Sequence, residues 1–419
     1  MSKTWIVATL VCALTLAACD SRTKIASVTT PGALTSPTAA AAPPTATPAP
    51  VPAPGKPESF SDYAPAISKY LSANPAAAAG TNCLADLIAA WKMPLLSQPD
   101  ACIAANTDDD PAIELVAVIT TKLTTPGATT DTQFEIVVFD PTADGFIVGY
   151  ESDPNDLIPP GRTESIKPLL AAGDLNKDGG GEFAYESANC GATTCFDTVH
   201  ILKGTASGYV SIAPPDGIAM SFATAKFEDV DGDGAKELLL NGGAVGSVGA
   251  GPPRTRTETW AWNGATYALR STALNKPEYL YHAVKDADTL FAAGKYSEAE
   301  TAYAAIVGET SLKVWMEQKR ERNELESYSL FRAGLAVLQN GGDAAKANDY
   351  LDRARAYHPQ TLHDQLAGSF KAGYNAKGSV SIGCAAVRDD IAANLAEYQA
   401  FWDFGYANPP FDADTICPF

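Results

Sequence analysis

The sequence predicts an α+β multidomain chain in which a β-rich repeat domain precedes an all-helical one, and three observations predict it. From about Ile103 to Leu269, runs rich in Val, Ile, Phe and Tyr, such as Glu114–Ile119, Phe134–Phe139 and Glu237–Leu240, are punctuated by Gly, Asp and Pro. Within that stretch two acidic segments superpose without gaps. After Lys276 the texture turns to Ala, Leu, Glu and Lys at a 3.6-residue period with Gly breaks, and it holds to about Phe404. A length of 419 residues exceeds the usual single domain and leaves ample material for a core.

Residues 1–18 read as an export signal: Lys3 gives a positive start, and the apolar run from Trp5 to Ala18 is too short to span a bilayer. It ends in Leu16-Ala17-Ala18-Cys19, which resembles the bacterial lipobox. The resemblance implies cleavage before Cys19, lipidation of Cys19 and a bacterial, extracytoplasmic protein anchored to the cell membrane or cell surface. An ordinary signal peptide with a chance cysteine is the alternative. Asp20 resembles an inner-membrane retention signal whose meaning depends on the host, so the sequence leaves the choice of membrane open.

Residues 19–58 form a segment dominated by Pro, Ala and Thr, which cannot bury a core. As extended, partly polyproline chain at ~3 Å per residue, about 40 residues reach up to about 100 Å and serve as a stalk. Beyond it, helical spacing of Leu84, Leu87, Ile88 and Trp91 predicts short helices over Tyr63–Leu71 and Cys83–Lys92. The expected domains are a mixed helix and β-repeat region over 59–275 and a helical region over 276–419.

A formal charge of −19 and a pI near 4.6 argue against nucleic acid as a partner and suit cation binding. With Cys12 in the export segment and Cys19 lipidated, the remaining cysteines fit disulfides in an oxidising compartment. Chain order suggests Cys83 with Cys102, Cys190 with Cys195 and Cys384 with Cys417, although other connectivities are open. Zinc is a rival, but the spacings do not match a zinc site.

The superposable segments run Asp174-Leu-Asn176-Lys-Asp178-Gly179-Gly180-Gly-Glu182 and Asp229-Val-Asp231-Gly-Asp233-Gly234-Ala235-Lys-Glu237. Oxygen side chains at loop positions 1, 3 and 5 converge when the chain curls, and a glycine at position 6 permits the turn. Position 7, Gly180 or Ala235, can add a backbone carbonyl. An EF-hand needs a bidentate Glu at position 12, where this chain has Tyr185 or Leu240, so that reading fails. The pattern resembles the FG-GAP or integrin-type (VCBS-like) repeat. That resemblance implies a structural Ca²⁺ closed by the position-9 carboxylates, Glu182 and Glu237, in a loop leading into a propeller blade. Turn-forming Asp, Asn and Gly without metal are the plain alternative.

A third copy, Asn106-Thr-Asp108-Asp-Asp110-Pro111-Ala-Ile-Glu114, has proline at the turn glycine, which bars φ > 0 there, so a degenerate repeat that keeps the fold and loses the ion is expected. About three repeats fall short of a closed propeller, so a propeller-like, incompletely closed array of antiparallel sheets is expected.

In the helical part, Gly294-Lys-Tyr296-Ser-Glu-Ala299 and Gly342-Asp-Ala-Ala-Lys-Ala347 fit the turn and second helix of the tetratricopeptide (TPR) repeat, which the region resembles. The spacing between the copies exceeds the usual repeat length, so a charged helix around Trp315 to Leu325 is expected as an insertion. Such arrays present a concave face to a partner; a helical cap on the β domain is the plain alternative.

No metalloprotease frame surrounds His200, His282, His358 or His363, and nucleophile elbow, phosphate loop and dinucleotide fingerprint are all missing from the sequence. The glycine-rich stretch Gly242–Gly251 reads as a loop between strands, and Trp260 with Trp262 as core residues or, alternatively, a sugar platform. The expected function is a non-catalytic, calcium-stabilised module that binds protein or glycan. A secreted hydrolase acting on polysaccharide or peptide is the alternative.

Overall fold

The computed structural model describes residues 51–78, 83–94, 102–123, 131–153, 157–158 and 167–419. The export segment, Cys19 and the stalk up to residue 50 lie outside the described residues.

The chain is mixed α and β, and its β part is three four-stranded antiparallel meanders. Strands β1 (Cys102–Ala105), β2 (Glu114–Leu123), β3 (Asp131–Thr142) and β4 (Gly145–Glu151) pair in chain order. Strand β5 (Leu157–Ile158) pairs with β3 and with the second meander, which comprises β6 (Leu169–Gly173), β7 (Glu182–Cys190), β8 (Cys195–Thr205) and β9 (Gly208–Ser211). Strand β10 (Ile218–Ser221) adds to β8. The third meander is β11 (Thr224–Glu228), β12 (Glu237–Gly242), β13 (Arg256–Trp262) and β14 (Tyr267–Leu274), and it forms a sheet of its own. The described strands close into neither a barrel nor a propeller.

Two-residue side-chain alternation lets the first two meanders bury both faces, whereas the third buries one and leaves most of β14 exposed. Leu115, Ala117 and Ile119 of β2, with Val137 and Phe139 of β3, pack under helices α1 (Tyr63–Ala73) and α2 (Ala85–Trp91). Their neighbours Val116, Phe134, Ile136 and Val138 face Leu169, Phe183 and Tyr185 of the second meander. Ala184, Val199 and Ile201 in turn meet Leu238, Leu240 and Tyr267 of the third. Trp260 and Trp262 pack against this last core, which favours the core reading of the pair. The disulfides follow chain order: Cys83–Cys102 ties the start of the α2 segment to β1, Cys190–Cys195 closes the β7–β8 hairpin, and Cys384–Cys417 holds the C-terminal tail.

The helical part comprises α3 (Leu280–Ala292), α4 (Tyr296–Ile306), α5 (Gln318–Gln339), α6 (Ala344–Tyr357), α7 (Leu362–Lys377), α8 (Val380–Ala393), α9 (Leu395–Phe401) and α10 (Ala413–Ile416) around one apolar core. The charged stretch expected as an insertion is instead the first half of α5, continuous to Gln339. Its acids are buried because they serve the neighbouring segments. Glu321 accepts the N–H groups of Trp315 and Met316 (2.7 and 2.6 Å), and Glu326 accepts from Gly308 (3.2 Å). A side chain that satisfies orphan backbone donors can be buried without an apolar face. The glycine-rich loop between β12 and β13 joins the two parts: Gly249 O and Ala250 O accept from Tyr406 and Ala407, and a Cβ at Gly251 (φ +89°) would collide with Phe404 O.

Candidate metal centre

Each meander opens in the same way. The first strand ends, an acidic loop follows, and a glutamate starts the second strand: Glu114 on β2, Glu182 on β7 and Glu237 on β12. The glutamate then reaches back to the second loop residue. Glu114 Oε2 accepts the N–H of Thr107 (2.6 Å), Glu182 Oε2 that of Leu175 (2.9 Å) and Glu237 Oε2 that of Val230 (3.0 Å). Position 5 donates its N–H to the position-3 side chain in all three, Asp110 to Asp108, Asp178 to Asn176 and Asp233 to Asp231. Position 7 donates to position 5: Ala112 to Asp110, Gly180 to Asp178 and Ala235 to Asp233. The glycines at position 6, Gly179 and Gly234, take φ of +89° and +94° and donate to Asp174 and Asp229.

The loops also touch one another. Lys236 N–H donates to Leu175 O (2.7 Å), Lys177 Nζ reaches Asp233 O, and a Cβ at Gly181 would strike the Asn106 and Thr107 backbone. Among the described residues two carboxylate trios converge, Asp229–Asp231–Glu237 and Asp108–Asp110–Glu114, with ligand atoms within 4.8 Å of one another. Both are oxygen-only donor sets that could hold a hard cation. The proline copy thus gathers its acids although Pro111 cannot make the glycine turn; Asp233 stands outside the trio of its own loop.

The loops differ in the cations that face them. Lys203 of β8 pairs with Asp178 and lies 3.6 Å from Glu182 Oε1, a buried atom that takes no hydrogen bond. Burial pushes Glu182 up to about 7. Burial also raises Asp178, but hydrogen bonds from Lys203 and Gly180 outweigh it and hold its carboxyl below the usual range. Arg270 of β14 donates to Asp231 (2.7 Å) and Glu237 (3.0 Å), and its hydrogen bond lowers Asp231. Among the described residues no Lys or Arg forms an ion pair with Asp108, Asp110 or Glu114. Instead Asp140 on β3 stands beside them, raised to about 7 by burial and then by the charges of Glu114, Asp108 and Asp110. Sequence reasoning missed Asp140, Lys203 and Arg270 because each arrives from a later strand; only the strand register reveals them.

The histidines are tied into structure. His200 stacks on Tyr185 (4.4 Å) and pairs with Ser187, His282 meets Pro252 O, His358 meets Glu326, and His363 meets Glu324. No family model matches the chain, and neither a curated protein nor a solved structure matches it.

Proposed function

We propose that this chain is a lipid-anchored extracytoplasmic module of the FG-GAP type, propeller-like and calcium-stapled, whose task is to bind protein or glycan through its β-repeat and TPR-like parts. The observation that carries the reading is the shared loop chemistry: three loops with the same hydrogen-bond pattern, each heading a four-stranded meander. Oxygen-only trios suit calcium better than a softer metal. The three disulfides suit an oxidising compartment, in line with the lipobox resemblance at Cys19.

In this reading the ion acts through stability. Binding to the native state alone raises its stability by about 3 kcal/mol per site at a hundredfold excess over Kd. The Asn106 loop holds calcium with no cation paired to its acids, while the Asp229 and Asp174 loops hold it in competition with Arg270 and Lys203. Elemental analysis of the purified protein should find about two calcium ions per chain, and a chelator should lower the melting temperature by several degrees. A metal-free protein with a chelator-insensitive melt would reduce the loops to turns and sink the reading.

A further inference from the structure

Residues 51–57, Val51-Pro-Ala-Pro-Gly-Lys-Pro57, carry no regular secondary structure, yet they are not loose at the edge of the fold. They lie over two aromatic side chains of the helical cap, Tyr63 of α1 and Trp91 of α2, which pack edge to face with ring centroids 5.0 Å apart and are each 2% exposed. The indole N–H of Trp91 donates to Pro54 O at 2.8 Å. Ala53 packs against the apolar cluster beneath the cap, and the Lys56 ammonium stands over the Tyr63 ring at 5.5 Å.

These three contacts define a chemistry of recognition. Proline has no N–H and a fixed φ, so a segment alternating Pro with small residues stays extended and cannot satisfy its own carbonyls. An indole N–H is a donor with no acceptor role and suits such a carbonyl. Flat aromatic walls accept the small residue and the proline edge, the arrangement by which proline-rich peptides are commonly held. A basic residue at the end adds a cation–π contact.

We infer that the Tyr63–Trp91 groove is a binding site for proline-rich peptide, occupied by the chain's own segment Pro52–Lys56. The segment is then a ligand in cis, not a part of the fold. A tethered ligand sits at millimolar effective concentration, so a peptide in trans competes poorly until the tethered copy is weakened.

The test uses the full chain and a labelled peptide of residues 50–58. Ala53→Glu places a charge against the apolar cluster and ejects the tethered copy. Fluorescence anisotropy should show the peptide binding A53E at least tenfold more tightly than wild type. Adding Trp91→Phe, which keeps a ring and removes the donor, should weaken that binding about tenfold, the scale of one hydrogen bond. A folded A53E chain that leaves the peptide free would overturn the inference. Should A53E fail to fold, wild type decides: several millimolar unlabelled peptide should shift the amide resonances of Ala53, Gly55 and Lys56 toward free-chain values. Unmoved resonances would show the segment to be integral to the fold.

Discussion

Lys203 stands opposite Glu182 in the β7–β8 register, and its ammonium lies 3.6 Å from the buried Glu182 Oε1 while it pairs with Asp178. A divalent ion entering the Asp174 loop must displace that ammonium. The Lys203→Met variant removes the competitor and leaves Glu182 buried without a counter-charge. Calorimetry should therefore find a third calcium site, or one tightened at least tenfold, and the chelated variant should melt below chelated wild type. Equal stoichiometry and affinity in both proteins would mean that Lys203 does not guard the loop.

Asp140 supplies a test with two signs. In metal-free protein its carboxyl is held up to about 7 by burial and by Glu114, Asp108 and Asp110, so Asp140→Asn relieves like-charge crowding and should raise the melting temperature. With calcium present the same change removes negative charge beside the Asp108–Asp110–Glu114 trio and should weaken binding there. The chelator shift should shrink from both ends. A variant whose chelator shift equals that of wild type would separate Asp140 from the site.

Glu135 on β3 predicts a pH dependence remote from the loops. Burial, then the charge of Glu151, raises it from an ordinary 4.5 to about 7, and its Oε2 has no hydrogen-bond partner. A raised carboxyl pKa means the folded state holds the proton more tightly than the unfolded one. Its contribution is fully present below about 4.5 and is lost as pH rises through about 7. Glu135→Gln should be neutral at pH 4 and stabilising on the order of 2 kcal/mol at pH 8. Denaturant titrations at the two pH values measure the difference, and a variant no more stable at pH 8 would contradict the assignment.

The parts legible in sequence were those governed by local chemistry. The spacing of Asp174, Asn176, Asp178 and Glu182 announced a curled acidic loop because its hydrogen bonds are internal to the loop. Helices α1 and α2 followed from apolar spacing, and the disulfides from chain order. Illegible were relationships set by strand pairing or by tertiary burial. Nothing near Glu237 in sequence points to Arg270, and nothing in Asn106–Glu114 points to Asp140. The charged start of α5 read as an insertion for a related reason: Glu321, Glu324 and Glu326 are each buried against backbone donors of other segments, which spacing along the chain does not reveal.

Glu324 tests that last point directly. Its Oε1 accepts the Leu362 N–H (3.0 Å), and its Oε2 accepts the His363 N–H (3.3 Å) and meets His363 Nδ1 at 2.7 Å, so one buried carboxylate caps α7 from the first half of α5. Burial alone would raise its pKa, but the contacts from His363 and the backbone donors outweigh that, and the group lies below its ordinary value. A depressed carboxyl contributes stability above its unfolded pKa and loses it as pH falls through the folded one. Glu324→Ala strands two N–H groups and a buried imidazole, and should cost about 3 kcal/mol at pH 7 in urea unfolding. Glu324→Gln keeps an acceptor and should cost less, while flattening the acid side of the stability profile. If Ala and Gln cost the same, the charge of the carboxylate toward His363, not an acceptor for the two N–H groups, accounts for the glutamate.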